Sequence, residues 1–361
     1  MLSRNSSSIS FLAGGDVALN RPRSRHAFGH LNTLFQDADV AFANLELPLS
    51  LNGQPAIGKN IIRGKPKMIE ALTEARFDVL SFANNHALDY GEEAFFETLD
   101  SLKERGIPVV GAGEHLAGAR KAVILERNGF RIGVLAYCSV LPRGFSAGLR
   151  TLPPDANPLQ AYKSAGVNPL RASTAYRPPE GTEEYPGRIP EVLTWAHSGD
   201  LKRMRSDIRK LRAKVDALIV NHHWGTSMVH EVRAFQREIS HAAVDAGADV
   251  VLGGHPHVLQ GVEFYKEKPI VYSMGNLIFD FDVPFFTVAS KQNILFGCTL
   301  TKGGIRNAYL LPCWSIMKKP PSLLSPIRGR GREIFHLIQH LSKEFGTQMK
   351  VVGQQILLYP A

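Results

Sequence analysis

The chain has 361 residues, of which 44% are hydrophobic, and a formal net charge of +9. This length and apolar content exclude a disordered chain and are sufficient for one large domain with a substantial core. The positive charge favours anionic partners such as phosphate esters, polyglutamate or acidic lipid surfaces.

The beginning of the chain has no pattern of a membrane or secretion signal. Its apolar run at 11–13 is interrupted by Gly14-Gly15-Asp16, and no run approaches the roughly 20 apolar residues that cross a bilayer. The three cysteines, Cys138, Cys298 and Cys313, are odd in number and far apart, which excludes a disulfide framework and is typical of a reducing compartment. We therefore expect a cytoplasmic protein without a transmembrane anchor.

Strand and helix patterns alternate along the first third of the chain. Short apolar runs predict strands over 8–13, 40–44, 78–82 and 107–110. Helical spacing predicts helices over 66–76, with Pro66 in the first turn, and over 92–105, ended by Gly106. This alternation indicates an α/β fold whose functional groups follow the carboxyl ends of strands.

The same alternation continues later in the chain. The sequence predicts strands over 216–220 and 249–252, with a helix over 229–246 ended by Gly247. Much of the positive charge lies over 202–214, where an apolar stripe at helical spacing indicates the solvated face of a helix. A second basic run, 328–332, alternates Arg with Gly but contains no aromatic residue, so we expect no nucleic-acid partner.

Two segments depart from the alternating pattern. Residues 141–190 are rich in Pro, Gly, Ser and Ala and have weak periodicity, which predicts a loop-rich insertion that covers the functional site. Residues 318–361 open with Pro320-Pro321 and continue with a helical pattern over 332–345. We therefore predict one domain over 1–317 and a C-terminal helical tail, 318–361, packed on it.

Five short polar motifs follow apolar runs, and together they predict one metal site. They are Gly15-Asp16, Asn44-Leu45-Glu46, Asn84-Asn85-His86, His222-His223-Trp224-Gly225 and Gly254-His255-Pro256-His257. Carboxylates, amide oxygens and neutral imidazoles all donate lone pairs to divalent metals. At the ends of buried strands these side chains are able to converge on one or two ions.

The motifs also resemble the signature blocks of a known family. The blocks are DVALNR (16–21), ANLE (43–46), ANNHALDYG (83–91), HWG (223–225), GHPHVLQ (254–260) and YSMGN (272–276). They are similar to those of the CapA family, the poly-γ-glutamate capsule-synthesis branch of the calcineurin-like metallophosphoesterase superfamily, over roughly residues 10–282. The resemblance implies a four-layer α/β/β/α sandwich with two mixed β-sheets packed face to face.

The resemblance also implies a role for each motif residue. The metal ligands would be Asp16, Glu46, Asn85, His223, His255 and His257, with Glu46 at the bridging position. His86 would be the catalytic histidine, and Arg21 would help it to stabilise developing negative charge. The superfamily usually has a histidine two residues after the first aspartate, whereas this chain has Ala18, so the first metal would lack one ligand.

The neighbours of these residues have less specific roles. Asn44 and Asn84 would support the ligands, and Asp89 would either orient His86 or cap the following helix. Trp224 would pack beside the metal and shape the cleft, whereas His222 is less certain because the family block aligns on His223. Gln260, Asn276 and Asp280 are either structural or in contact with the ligands or the substrate.

Three functions are compatible with this set of residues. The first is a metal-dependent, phosphoesterase-type hydrolase with two Mn, Fe or Zn ions, in which a metal-activated hydroxide attacks the substrate. The second is a non-catalytic, metal-stabilised accessory that binds an anionic polymer such as poly-γ-glutamate. The third uses the same metals on amide or acyl bonds. The sequence favours the first.

Overall fold

Two mixed β-sheets form the centre of the computed structural model, which describes residues 8–148, 164–181 and 187–361. The strands, in chain order, are β1 (Ser8–Ala18), β2 (Val40–Leu45), β3 (Val79–Ser81), β4 (Val109–Val110), β5 (Ala112–Gly113), β6 (Val123–Arg127), β7 (Phe130–Cys138), β8 (Gly166–Val167), β9 (Ala172–Arg177), β10 (Glu191–Ala196), β11 (Ala217–His223), β12 (Val250–Gly254), β13 (Val262–Tyr265), β14 (Lys268–Val271), β15 (Asn276–Phe279), β16 (Gln292–Thr301), β17 (Gly304–Trp314), β18 (Ser322–Leu323), β19 (Gln348–Val352) and β20 (Gln355–Tyr359). The α-helices are α1 (Leu31–Asp37), α2 (Ile69–Glu74), α3 (Gly91–Glu104), α4 (Leu116–Ala119), α5 (Ser198–Arg212), α6 (Ala234–Ala246) and α7 (Gly329–Ser342).

The first sheet has ten strands and contains the N-terminal part of the chain. Its order is β19-β20-β17-β16-β1-β2-β3-β4, with β15 beside β1 and β18 beside β17. β1 to β4 and β15 run parallel to one another, and the remaining strands add antiparallel pairs. The carboxyl ends of β1 and β2 therefore lie at the same edge of the sheet.

The second sheet has six strands, in the order β13-β14-β12-β11-β7-β6. β7, β11, β12 and β14 are parallel, whereas β6 and β13 pair antiparallel at the two sides. Residues of its strands alternate between two apolar clusters, as expected for strands that are buried on both faces. In β11, Ala217 and Ile219 share a cluster with the first sheet, while Leu218 and Val220 pack in a cluster with residues of α5 and α6.

This layering confirms the expected mixed α/β sandwich with two sheets. α5 and α6 cover the outer face of the second sheet, and α1 and α3 pack against β2 and β4 of the first. The predicted helix over 202–214 is confirmed by α5, which buries Leu201, Met204, Ile208 and Leu211. The predicted helix over 229–246 begins later, at Ala234.

The two segments that depart from the alternating pattern contain more strands than predicted. In the described part of 141–190, β8 pairs with β5, and β9 forms an antiparallel pair with β10. Residues 149–163 and 182–186 of this stretch lie outside the described residues. The C-terminal tail comprises α7 and the β19–β20 pair, which extends the first sheet through β17 and is thus not helical throughout.

The structure also bears on expectations from composition. In the described ranges, no helix is both long enough and apolar enough to span a bilayer. All three cysteines are buried and carry free thiols. The basic run at 328–332 forms the start of α7, where the Arg330 guanidinium lies 4.3 Å from the centre of the Trp314 ring.

Candidate metal centre

The polar motifs converge where the parallel strands of both sheets end. β1 contains Asp16, and Glu46 directly follows β2, whereas His223 ends β11 and His255 follows β12. Glycine allows the two sheets to approach here, because a Cβ atom at Gly254 would lie 2.5 Å from Asp16 Oδ1. The order of strands thus brings together residues that are more than 200 positions apart.

Two overlapping groups of buried donors occupy this meeting point. Asp16, Glu46 and His223 form one group, and Glu46, His255 and His257 form the other. Within each group, the potential ligand atoms lie within 4.8 Å of one another. Glu46 belongs to both groups, which is the position expected of a carboxylate that bridges two ions.

Glu46 lacks the partners that a buried carboxylate requires. Its side chain is completely buried, and neither Oε1 nor Oε2 has a hydrogen-bond partner among the described residues. Oε1 lies 3.4 Å from His223 Nε2 and 3.8 Å from His257 Nε2. Burial raises the pKa of Glu46 to about 7. Because an unpartnered buried acid is costly, these residues fit a divalent cation, which would supply the missing partner.

Asp16 is held in place through both of its carboxylate oxygens. The Asn44 amide donates to Oδ1 over 2.8 Å, and the backbone N–H of His255 donates to Oδ2 over 2.9 Å. Burial is the main reason that the pKa of Asp16 is raised to about 6, and the nearby Glu46 raises it further. Asn44 therefore supports a ligand, as the sequence indicates.

The three candidate histidine ligands lie in surroundings that favour neutral imidazoles. Burial lowers the pKa of His223 to about 4 and that of His255 well below its usual range. His223 Nε2 lies 2.7 Å from Asn85 Oδ1, and His257 Nδ1 lies 2.9 Å from Asn276 Oδ1. A neutral imidazole whose second nitrogen is held by a neighbour is the form that binds metals.

The loop that carries His255 and His257 has an uncommon backbone. Their φ angles are +93° and +59°, in a region that non-glycine residues rarely adopt. His255 Nδ1 has no hydrogen-bond partner in the described part of the chain, and its Nε2 lies 3.2 Å from Ser227 Oγ. Such backbone outliers cluster at functional sites, so this loop supports the ligand assignment of both histidines.

Asp89 orients His86. His86 Nδ1 lies 2.6 Å from Asp89 Oδ2, whereas the N-cap residue of α3 is Tyr90. Asn84 Oδ1 accepts a hydrogen bond from the His86 backbone N–H over 3.1 Å. Burial lowers the pKa of His86, which favours the neutral ring. Of the two roles open to Asp89, the structure favours orientation of His86.

Lys59 is a member of this network that the sequence analysis does not identify. Its ammonium donates to the Asn85 carbonyl over 2.7 Å and to Asp89 Oδ1, and it lies 3.2 Å from His86 Nδ1. It also lies 5.0 Å from the centre of the Phe145 ring, which belongs to the predicted insertion. Burial lowers the pKa of Lys59. The residue stands in an irregular connection without a motif, so no sequence signal distinguishes it from surface lysines.

Arg21 does not have the role predicted for it. Its guanidinium donates to both oxygens of Asp280, over 2.7 and 2.8 Å, and to the Ala27 carbonyl over 2.8 Å. Asp280 also accepts hydrogen bonds from the backbone N–H groups of Asn20 and Lys318. The pair joins three chain segments, which commits Arg21 to structure instead of to the stabilisation of substrate charge.

Three further predicted residues lie away from the donor groups. His222 stacks on Trp224, with ring centres 4.6 Å apart, because adjacent residues of a strand face opposite sides of the sheet. Trp224 is completely buried, and its indole N–H donates to the Tyr272 carbonyl, so it does not shape a cleft beside the metal. Gln260 donates to the carbonyls of Val229 and Glu231 and thereby joins two loops.

The comparison with protein families agrees with this geometry. Residues 10–281 match the family described as Bacterial capsule synthesis protein PGA_cap. The chain belongs to this family. Its match confirms the CapA resemblance of the motifs, and the PGA_cap region includes every residue of the two donor groups.

Curated relatives of this PGA_cap chain carry related names. It is 31% identical over 270 residues to the Capsule biosynthesis protein CapA of Bacillus anthracis, which covers 73% of this chain and 56% of the relative. It is 29% identical over 256 residues to the PGA biosynthesis protein CapA of Bacillus subtilis (strain 168), with 70% and 56% covered. The chain thus spans little more than half the length of these relatives.

A solved structure with a similar course of the chain is a hypothetical protein from Thermus thermophilus. The two share 16% sequence identity, and their superposition has a TM-score of 0.45. The alignment covers 84% of this chain and 98% of the Thermus protein.

Proposed function

We propose that this PGA_cap-family chain is a metal-dependent hydrolase of the phosphoesterase type that acts on an anionic substrate. The observation that carries the proposal is Glu46, a fully buried carboxylate that has no hydrogen-bond partner in the described ranges and that two groups of ligand atoms share. A purely structural site would normally pair or hydrogen-bond such an acid.

Six residues would hold the ions, and their chemistry indicates which metals bind. The ligands would be Asp16, Glu46, Asn85, His223, His255 and His257. Mixed nitrogen and oxygen ligands suit Mn, Fe or Zn. Divalent ions at this position supply Lewis acidity and lower the pKa of water, which is the chemistry that hydrolysis requires.

The remaining polar residues of the site would manage protons and geometry. Because Asp89 holds His86 Nδ1, the other ring nitrogen, Nε2, is the atom that would exchange a proton with the leaving oxygen. Lys59 would fix Asp89 and the Asn85 carbonyl and thereby keep His86 oriented. This network has no evident purpose in a site that only binds a polymer, so it supports catalysis.

A second candidate is a metal-stabilised accessory that binds an anionic polymer such as poly-γ-glutamate. It is favoured by Ala18, which is completely buried and offers no ligand where the superfamily has a histidine. The names of the two Bacillus relatives, which refer to capsule and PGA biosynthesis, also favour it. Amide or acyl hydrolysis remains an alternative use of the same residues.

Metal content and hydrolysis measured on the same preparations test the proposal. Elemental analysis of the wild type should give about two ions per chain, as in dinuclear phosphatases, and Asp16→Ala should lose them. His86→Ala should keep the ions but lose at least about 100-fold in kcat on a p-nitrophenyl phosphoester, as expected for loss of a general acid. His241→Ala is the matched control, because His241 pairs with Glu263 and belongs to neither donor group.

The outcomes separate the candidates. A wild type without bound metal would contradict both. Bound metal without hydrolysis, together with salt-sensitive polyglutamate binding that survives His86→Ala, would support the accessory role instead.

A further inference from the structure

A cavity of about 570 Å³ lies beside the donor groups and has no role in the proposed chemistry. Its walls come from β15, from the segment 281–291 and from residues 315–317. Three phenylalanines, Phe279, Phe281 and Phe286, line it. Its volume is in the range of pockets that bind small molecules.

The cavity is continuous with the candidate metal centre through His257. The ring of His257 lies 5.3 Å from that of Phe279 and 5.0 Å from that of Phe286, measured between ring centres. Asn276 lines the cavity and also lies within hydrogen-bond distance of His257 Nδ1. A group bound in the cavity would therefore lie next to a proposed metal ligand.

The rim of the cavity is apolar and exposed. Val288, Ile316 and Met317 line it and are 63%, 40% and 45% exposed. Asp282 and Lys291, the charged residues of the described lining, have opposite signs, so they give the cavity no net charge. Exposed apolar surface around a concave site is typical of ligand binding.

The phenylalanines also define the shape of a suitable guest. Phe279 meets Phe286 edge to face, with ring centres 5.0 Å apart, and meets Phe281 in the same manner at 6.0 Å. Aromatic rings prefer such edge-to-face contacts, which a further ring is able to extend.

We propose that this cavity binds an aromatic ring, or an apolar group of similar size, that the substrate carries next to the bond to be hydrolysed. The proposal rests on the proposed hydrolase function and names the class of substrate. It assigns to the anionic group of the substrate the metal centre and to its apolar group the phenylalanine walls. A polyglutamate chain fits poorly, because its repeated carboxylates would meet an apolar, uncharged wall.

The test compares two phosphonates that differ only in their apolar group. Calorimetry on the Mn²⁺-loaded protein should show that phenylphosphonate binds about tenfold more tightly than methylphosphonate, because the ring buries apolar surface. Phe286→Ala should bring this ratio close to one, and Phe286→Leu should leave an intermediate ratio. Phe285→Ala is the matched control, because Phe285 is the adjacent ring, is 47% exposed and is not part of the described lining.

Each outcome decides one of two questions. Equal affinity for both phosphonates in the wild type, or an equal loss of the ratio in Phe285→Ala, would overturn the cavity assignment and leave the metal centre intact. Binding of neither phosphonate would overturn the cavity assignment and the proposed function together. The leucine variant keeps the test decisive should the alanine variant fail to fold.

Discussion

At the scale of single residues, two adjacent histidines illustrate how the strand decides function. His223 lies 3.4 Å from Glu46 Oε1 through its Nε2 and belongs to a donor group. His222 stacks on Trp224 and lies 2.9 Å from Ser139 Oγ. Side chains alternate along β11, so identical residue types face the donor groups and the outer cluster respectively.

This alternation predicts opposite results for two neighbouring substitutions. His223→Ala removes a ligand, so we expect the bound metal to fall at least about tenfold in affinity. His222→Phe should keep full metal content, because a phenyl ring preserves the stacking and Ser139 still donates to the Leu170 carbonyl. Elemental analysis of both variants, with circular dichroism as the check on folding, measures the difference. Equal metal loss in the two variants would contradict the assignment of His223.

At the scale of elements, the connection between β2 and α2 completes the site. It runs over 46–65 and brings Lys59 to Asp89, whose Oδ2 also accepts a hydrogen bond from the Ile62 backbone N–H over 2.7 Å. The connection therefore fixes Asp89 from two sides, and Asp89 in turn fixes His86. An irregular segment thus orients a histidine that follows a regular strand.

Removal of the lysine should separate metal binding from catalysis. We expect Lys59→Met to retain its metal and to lose about 10- to 100-fold in kcat, the usual effect of removing a residue that orients a functional group. Lys65→Met is the control, because Lys65 is an exposed lysine of the same connection. Steady-state kinetics and elemental analysis should be run on the same samples. Loss of metal in Lys59→Met, or an equal fall of kcat in Lys65→Met, would assign Lys59 a different role.

These elements also indicate what the sequence was able to predict. Strand ends and polar motifs are local signals, so they predicted Asp16, Glu46 and His255 at one edge of the fold. Contacts between distant segments leave no local signal: Arg21 pairs with Asp280 across 259 positions, and Lys59 stands in a connection without periodicity. The β19–β20 strands were missed because a short alternating pattern after a helix is weak evidence for a sheet edge.

At the scale of the whole molecule, the packing of the two sheets links protonation, metal binding and folding. It buries Asp16 and Glu46 together, and burial raises their pKa values to about 6 and about 7. A group whose pKa is raised on folding holds its proton more tightly in the folded state. Its contribution to stability is therefore lost as the pH rises from the unfolded pKa to the folded pKa.

For Glu46 this interval extends from about pH 4.5, the ordinary pKa of the group, to about pH 7. Below it, Glu46 is protonated in both states and resembles a glutamine. Above it, the unfolded state gains the free energy of ionisation that burial opposes, a difference of about 3 kcal/mol for a shift of this size. Buried histidines whose pKa values are lowered act in the opposite direction, so only a comparison with a variant isolates Glu46.

We therefore expect metal-free Glu46→Gln to gain stability relative to the wild type as the pH rises. The difference in the free energy of unfolding should increase by about 3 kcal/mol between pH 4 and pH 8, measured by urea denaturation in the presence of a chelator. Added Mn²⁺ should reverse the order at pH 8, because a ligand at 100 times its Kd stabilises the wild type by about 2.7 kcal/mol and the variant lacks the shared carboxylate. Asp216→Asn, at the far end of β11, controls for the loss of any carboxylate. A pH-independent difference would show that Glu46 is ionised in the metal-free fold, and the absence of a reversal would remove it from the metal ligands.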